Sequence, residues 1–278
     1  MSRLVLGTAQ WGDPYGVTNT QGRLSDADIE EIVAIARASG ITDVDTASGY
    51  GNAEHRLRPF ARDFRITTKI MGASPVEEQA RSSLNALGVD AVDTILVHDW
   101  DALSQGQQAS TVDSLDRLVD AGVTERVGVS VYDAEGIRSA RAVFGERGTR
   151  LGALQVPANP IDRRLDESHD VPELAAEGVH VVVRSVFLQG VLLSSVNELS
   201  SHPDVQRVMT AIDGRPVGRV DACLAHARAL PWATHVVVGV TNANELAAVC
   251  HAWDSTEPEL LPEELASSDR KLLDPRLW

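Results

Sequence analysis

Cysteine is almost missing from this chain. Cys223 and Cys250 are its only two in 278 residues, with no CxxC spacing, so neither a disulfide framework nor a cysteine-built zinc site is encoded. Both sit in stretches that read as helical and are expected to fill core. Lysine is equally scarce: of 25 basic residues 23 are arginine, leaving only Lys69 and Lys271. Positive charge is in deficit, 25 bases facing 40 acids for a net charge of −15. A surface that acidic repels phosphate backbones and anionic lipid, and no Lys/Arg cluster forms a local exception, so nucleic acid and membrane partners are not expected. Long apolar runs are missing too. Nothing approaches the roughly 20 residues needed to span a bilayer, and the opening MSRLVLGTAQWGDPYG holds an apolar run too short for a signal-peptide core, which points to a cytoplasmic protein. Neither GxGxxG nor a Walker A pattern occurs, which argues against an open dinucleotide-binding sheet or a P-loop.

What is present is an ordinary globular balance, 43% apolar and 23% charged, with one recurring phrase. A helix-like stretch closes on Gly plus an aliphatic residue that opens a β-branched run: SGI at 39–41, LGV at 87–89, AGV at 121–123 and EGV at 177–179. Gly just past a helix end adopts the left-handed conformation cheaply, and the next apolar residue starts a strand. Ser25 with Asp28, and Ser74 with Pro75 and Glu77, read as helix starts.

Eight strands follow from this reading, at 3–7, 43–46, 65–69, 92–98, 126–130, 152–156, 179–184 and 234–239. Helices fall near 26–38, 52–61, 75–87, 110–121, 133–143, 171–177, 203–229 with a break at Gly214 to Pro216, and 242–253. Eight alternating units with nearly continuous apolar strands predict an α/β fold, a closed (β/α)8 TIM barrel. With no linker or composition shift, residues 1–278 read as one domain, and the acidic, proline-bearing 255–278 as an appendage packed over the barrel.

In such a barrel chemistry sits at the C-terminal strand ends. Strand 2 delivers Asp45 and, in the following loop, Tyr50; strand 3 ends with Lys69 and strand 4 with His98. An unperturbed phenol, pKa about 10, is a poor proton donor at neutral pH, and an adjacent ammonium makes it more acidic. Lys69 would play that part, Asp45 would hold Lys69 charged and fixed, and His98 could steer a carbonyl oxygen toward the phenol. Such a set protonates an oxygen as it becomes an alkoxide but supplies no electrons. Arginine, the habitual base here, cannot replace a compact ammonium, which sets Lys69 apart. Strand 1 ends in Ala9, Gln10 and Trp11 without an HxH pair and His98 lacks a partner ligand, so no metal site is expected.

The chain also resembles the aldo-keto reductase family, in order and nearly end to end: GTAQWG at 7–12, DVDTASGYG at 43–51, TTK at 67–69, Asp93 through His98, GVS at 128–130 and QVPANPIDRR at 155–164. The resemblance implies that Asp45, Tyr50, Lys69 and His98 are the family's tetrad, with Tyr50 as proton donor in reduction of an aldehyde or ketone and hydride coming from NADPH or NADH. It further implies that Ser130 and Gln155 hold the nicotinamide carboxamide. RSVFLQG at 184–190, with Arg184, Ser185, Phe187, Gln189 and Gly190, would line ring and pyrophosphate, and Gly239, Thr241 and Asn242 lead into a helix facing the adenosine phosphate. NADPH-preferring members often place Lys or Arg just before the Thr241 position and Arg five residues after it, where this chain has Val240 and Leu246. Weak discrimination between the two cofactors, or a preference for NADH, is therefore expected.

Trp11 and Trp100, at the ends of strands 1 and 4, are expected to wall the substrate pocket with apolar surface. Small polar residues in the loops after strands 1, 2 and 4 favour a hydroxylated, sugar-derived substrate. Two other readings share these residues: a dinucleotide-binding regulator, and a lyase or epimerase on the same fold. The sequence says nothing of oligomeric state.

Overall fold

The computed structural model describes residues 2–17, 19–73, 75–166, 168–194 and 198–278. The strands are β1 (Arg3–Gly7), β2 (Asp43–Asp45), β3 (Arg65–Ile70), β4 (Val92–Val97), β5 (Thr124–Ser130), β6 (Ala153–Pro157), β7 (His180–Arg184) and β8 (His235–Gly239). All neighbours run parallel and β8 pairs back with β1, Gly239 beside Gly7, closing the barrel. This is the (β/α)8 barrel expected from the sequence, with strand ends differing by a residue or two.

A four-residue helix, α1 (Ala9–Gly12), follows β1 directly, and the crossover helices are α2 (Asp26–Ala38), α3 (Ala53–Leu57), α4 (Val76–Leu87), α5 (Gln105–Asp120), α6 (Ala134–Arg147) and α7 (Asp170–Ala176). The long expected helix at 203–229 is two, α8 (Pro203–Asp213) and α9 (Arg219–Ala229), broken where the sequence places Gly214 to Pro216. After β8 come α10 (Ala243–Ser255) and a last short turn, α11 (Arg270–Leu273).

Local chemistry explains the boundaries. Ser25 opens α2 through a reciprocal capping box with Asp28, as expected. The Ser74 start signal lies outside the described residues. Helix α5 begins five residues before the expected position, because Ser104 and Gln107 form a second capping box that the polar run QGQQ conceals from any hydrophobic pattern. Helix α6 runs on to Arg147 and stops at Gly148, whose φ of 72° is the left-handed conformation glycine adopts without strain.

Strand interiors are covered on both faces; Ile95, Leu96 and Val97 of β4 have no exposed surface. Gly128 permits the close approach of β5 to β6, since a Cβ there would lie 1.7 Å from the Ala153 carbonyl oxygen. At the N-terminal strand ends the interior is sealed by charge: Arg65 pairs with Asp43 at 2.6 Å and Arg126 with Asp93 at 2.7 Å, beside the stacked rings of His180 and His235. No helix among the described residues is long and apolar enough to cross a membrane.

The segment after α10 returns over the barrel. The Leu261 N–H donates to Nδ1 of His226 in α9 at 3.1 Å, and Arg163 reaches the Leu261 carbonyl at 2.8 Å. His226 is fully buried, its Nε2 is without a partner, and burial followed by the nearby Arg163 charge pushes its pKa down to about 4. His235 is likewise pushed to about 4, chiefly by burial. Both folded values lie below the unfolded value near 6.5, so the unfolded chain takes up protons first. Their contribution is complete above pH 6.5 and is lost as pH falls toward 4, at a limit of about 3 kcal/mol for His226. The urea midpoint should therefore drop between pH 6.5 and 4.5, and drop less in His226→Gln. An identical pH dependence in that variant would contradict the assignment.

Candidate active site

Asp45 closes β2, Lys69 is the penultimate residue of β3, and His98 follows β4 with its N–H donating to the Ile70 carbonyl at 2.8 Å. The loop carrying Tyr50 is stitched to β3: the Ser48 N–H and hydroxyl both donate to the Lys69 carbonyl, at 3.0 and 2.9 Å. From the other side Gly12 backs the Tyr50 main chain so closely that a Cβ at Gly12 would sit 1.7 Å from its carbonyl oxygen. Two backbone constraints thus aim one phenol.

Lys69 is buried at 1% exposure. Its ammonium donates to the Asp45 carboxylate, to the Thr46 carbonyl at 3.1 Å and to the Tyr50 hydroxyl at 3.3 Å. Burial works against the charge, but the Asp45 carboxylate and the Tyr50 oxygen outweigh it and hold the Lys69 pKa above its ordinary value. The other Asp45 oxygen accepts the Gln155 side-chain N–H at 2.7 Å, so the carboxylate is gripped from β3 and β6 together. His98 meets the Tyr50 ring edge to face at 5.8 Å. Burial first, then the Lys69 and Arg184 charges, push its pKa down to about 3, leaving a neutral imidazole at pH 7.

Tyr50 and Asp45 open onto a cavity of about 280 Å³ that extends past β6, β7 and β8 to the start of α10. Gln155, Arg184, Ser185, Phe187, Gln189, Gly190, Gly239 and Thr241 line it, joined by Gln10 and Tyr15, which the sequence reading did not single out. Burial, then the neighbouring Tyr50, raise the Tyr15 pKa to about 12, so it stands as a neutral phenol. The loop after β7 holds Ser185, Leu188 and Gln189 at φ of 61°, 48° and 53°, a left-handed run of non-glycine residues that persists only where neighbours impose it. Asn159 imposes part of it, its amide donating to the Ser185 carbonyl at 2.9 Å. Across the opening, the Val17 N–H donates to the Gln189 carbonyl at 3.2 Å, bridging the β1 and β7 loops.

Two expected wall residues are elsewhere. Trp11 and Trp100 have no exposed surface and do not border the cavity. Helix α1 turns the Trp11 ring inward, and Trp100 packs at 5.9 Å from Phe144 of α6, so both fill core between barrel and helices. Ser130 is buried in register with Gln155, behind the wall, and Asn242 turns its side chain to the N–H of Glu245 as cap of α10. Leu246 points into the core at 1% exposure.

The floor of the cavity holds an unused hydrogen-bond acceptor. Gln10 Oε1 is buried without a partner, an acceptor awaiting an N–H or O–H donor, and a Cβ at the adjacent Gly239 would collide with it at 2.4 Å. Among the described residues no three His, Cys, Asp or Glu side chains group as a metal site requires.

A closed parallel barrel thus gathers a phenol, a buried ammonium, a carboxylate and an imidazole at its C-terminal mouth, beside a groove that runs on to α10. The chain belongs to the aldo/keto reductase family, whose model matches residues 3–271. An aldo-keto reductase of Mycolicibacterium vanbaalenii is 36% identical over 124 residues, 41% of this chain and 44% of that protein. The aldo-keto reductase str7 of Strobilurus tenacellus is 29% identical over 205 residues, 67% of this chain and 57% of that protein. The matches thus span only about half the length of these curated relatives. In fold, a solved Pseudomonas aeruginosa structure assigned as an aldo-keto reductase superposes with a TM-score of 0.68 at 22% identity, covering 91% of this chain and 89% of that one.

Proposed function

We propose that the protein reduces an aldehyde or ketone to an alcohol with NADPH or NADH, Tyr50 giving the proton. The observation that carries this reading is the Lys69 ammonium, buried and bound to Asp45 and Tyr50 together, beneath a phenol that lines a cavity running past β6, β7 and β8 to α10. A structural ion pair needs no phenol at its open end.

The bound cofactor would supply hydride. Gln155, Ser185, Phe187, Gln189, Gly190, Gly239 and Thr241 would hold it, and Ser130 and Asn242 would act from behind the wall. Tyr50 would pass its proton to the carbonyl oxygen as negative charge develops there, while Lys69 would stabilise the phenolate left behind. His98, neutral at pH 7, can offer a hydrogen bond that orients the carbonyl but no acid proton. Arg184, held by the Val131 carbonyl and stacked on Tyr132, places a fixed positive charge at this end of the groove. The acidic surface and the buried, unpaired Cys223 and Cys250 support a cytoplasmic setting and small-molecule partners.

Single-turnover nicotinamide absorbance tests the reading. Protein loaded with NADPH or NADH should lose its reduced-cofactor signal when mixed with hydroxyaldehydes, in proportion to bound cofactor. A stable signal across the panel would leave a regulator that binds the dinucleotide without turnover, and product rearranged with no net change in cofactor would mark a lyase or epimerase.

A further inference from the structure

We infer that Glu245 selects the adenosine ribose, taking hydrogen bonds from an unphosphorylated diol and rejecting a 2′-phosphate. The inference rests on the dinucleotide reading above.

At its far end the cavity is walled by Thr241 and Glu245, with Ala248 and Val249 beyond. The Glu245 carboxylate folds back over the start of α10, accepting the Thr241 N–H at 2.7 Å on one oxygen and the Thr241 hydroxyl at 2.9 Å on the other. Asn242 in turn accepts the Glu245 N–H at 2.9 Å, which fixes the backbone that carries this side chain, while the two Thr241 contacts hold the carboxylate itself. Donors that would draw a phosphate to this helix start are therefore already bound to the chain's own anion. A carboxylate has about four acceptor positions, and two are used here. The remainder can take the two O–H groups of a ribose diol. A 2′-phosphate, carrying between one and two negative charges at neutral pH, has little or nothing to donate and meets like charge.

No cation relieves that repulsion from within the wall. Arg184 is the only basic side chain lining the cavity among the described residues, and its contacts with Val131 and Tyr132 hold it at the His98 end. Val240 and Leu246, which flank this corner, are buried at 2% and 1% exposure and apolar. The discrimination is thus built on one exposed carboxylate.

Dissociation constants for NADH and NADPH, measured by tryptophan fluorescence on the unmodified protein and on Glu245→Gln, test this. Unmodified protein should bind NADH about tenfold more tightly than NADPH, the scale of one charge-assisted hydrogen bond. Glu245→Gln, which keeps the shape and removes the charge, should tighten NADPH about tenfold and weaken NADH a few fold. A capping role alone would weaken both ligands together, so changes of opposite sign separate selection from damage to α10. Repeating the titration with ADP-ribose and its 2′-phosphorylated form isolates this end of the groove from the nicotinamide. Tighter NADPH than NADH in the unmodified protein, or a ratio unmoved by Glu245→Gln, overturns the inference and leaves the reductase reading standing. Failure of both dinucleotides to bind removes the two together.

Discussion

Tyr50→Phe is expected to lower turnover by at least about 100-fold while dinucleotide affinity stays within about twofold. The hydroxyl is the only part of Tyr50 removed, and in the structure it touches Lys69 at 3.3 Å rather than any group at the far end of the groove. Its ring, packed edge-on against His98, is retained by phenylalanine, so the cavity keeps its shape. Stopped-flow absorbance of the reduced cofactor with saturating carbonyl compound measures the rate, and fluorescence titration measures affinity. Near-normal turnover in this variant would remove Tyr50 from the chemistry and leave Lys69 and Asp45 as a buried structural pair.

The second large effect is expected at Lys69. Lys69→Met deletes an ammonium that Asp45, Thr46 and Tyr50 all share, leaving the Asp45 carboxylate buried with only the Gln155 amide to answer it. Breaking one side of a buried pair costs roughly 3 to 5 kcal/mol, so circular dichroism and cofactor titration must establish that the variant is folded. In folded protein kcat should fall about 100-fold or more, because the negative charge that proton transfer would leave on Tyr50 loses its adjacent cation. Lys69→Arg should fail to restore the rate. The site is a closed socket at 1% exposure, shaped for a point charge, and a planar guanidinium cannot present its charge there without displacing Tyr50. Full activity in the arginine variant would return Lys69 to a purely structural role.

The convergence of Asp45, Lys69 and His98 on one mouth was legible in the sequence because a parallel barrel fixes where strand ends go, and Tyr50 followed in the loop after strand 2. The same rule misplaced Trp11 and Trp100. A strand-end position locates the backbone but not the direction of the side chain, and the short helix α1 rotates Trp11 into the core. Gln155 was singled out for the cofactor, yet its grip on Asp45 joins residues 110 positions apart and exists only once β6 has closed next to β5 and β7. Glu245 was invisible for another reason. The pattern Asn242, Ala243, Asn244, Glu245 reads as an ordinary helix start, and only the three-dimensional course of the cavity makes its carboxylate a wall.

The Asp45–Gln155 contact also divides the barrel into unequal trades. Asp45, Tyr50, Lys69 and His98 all come from the first four strands, whereas most of the groove comes from β6, β7, β8 and α10. A fragment ending at His98 would hold the four proposed proton-handling groups but only the Gln10 and Tyr15 side of the groove; its complement would hold the larger part of the groove and none of the four. Turnover recovered on mixing two such halves would therefore report the seam being rejoined, with Gln155 as the stitch that carries register from one half into the chemistry of the other.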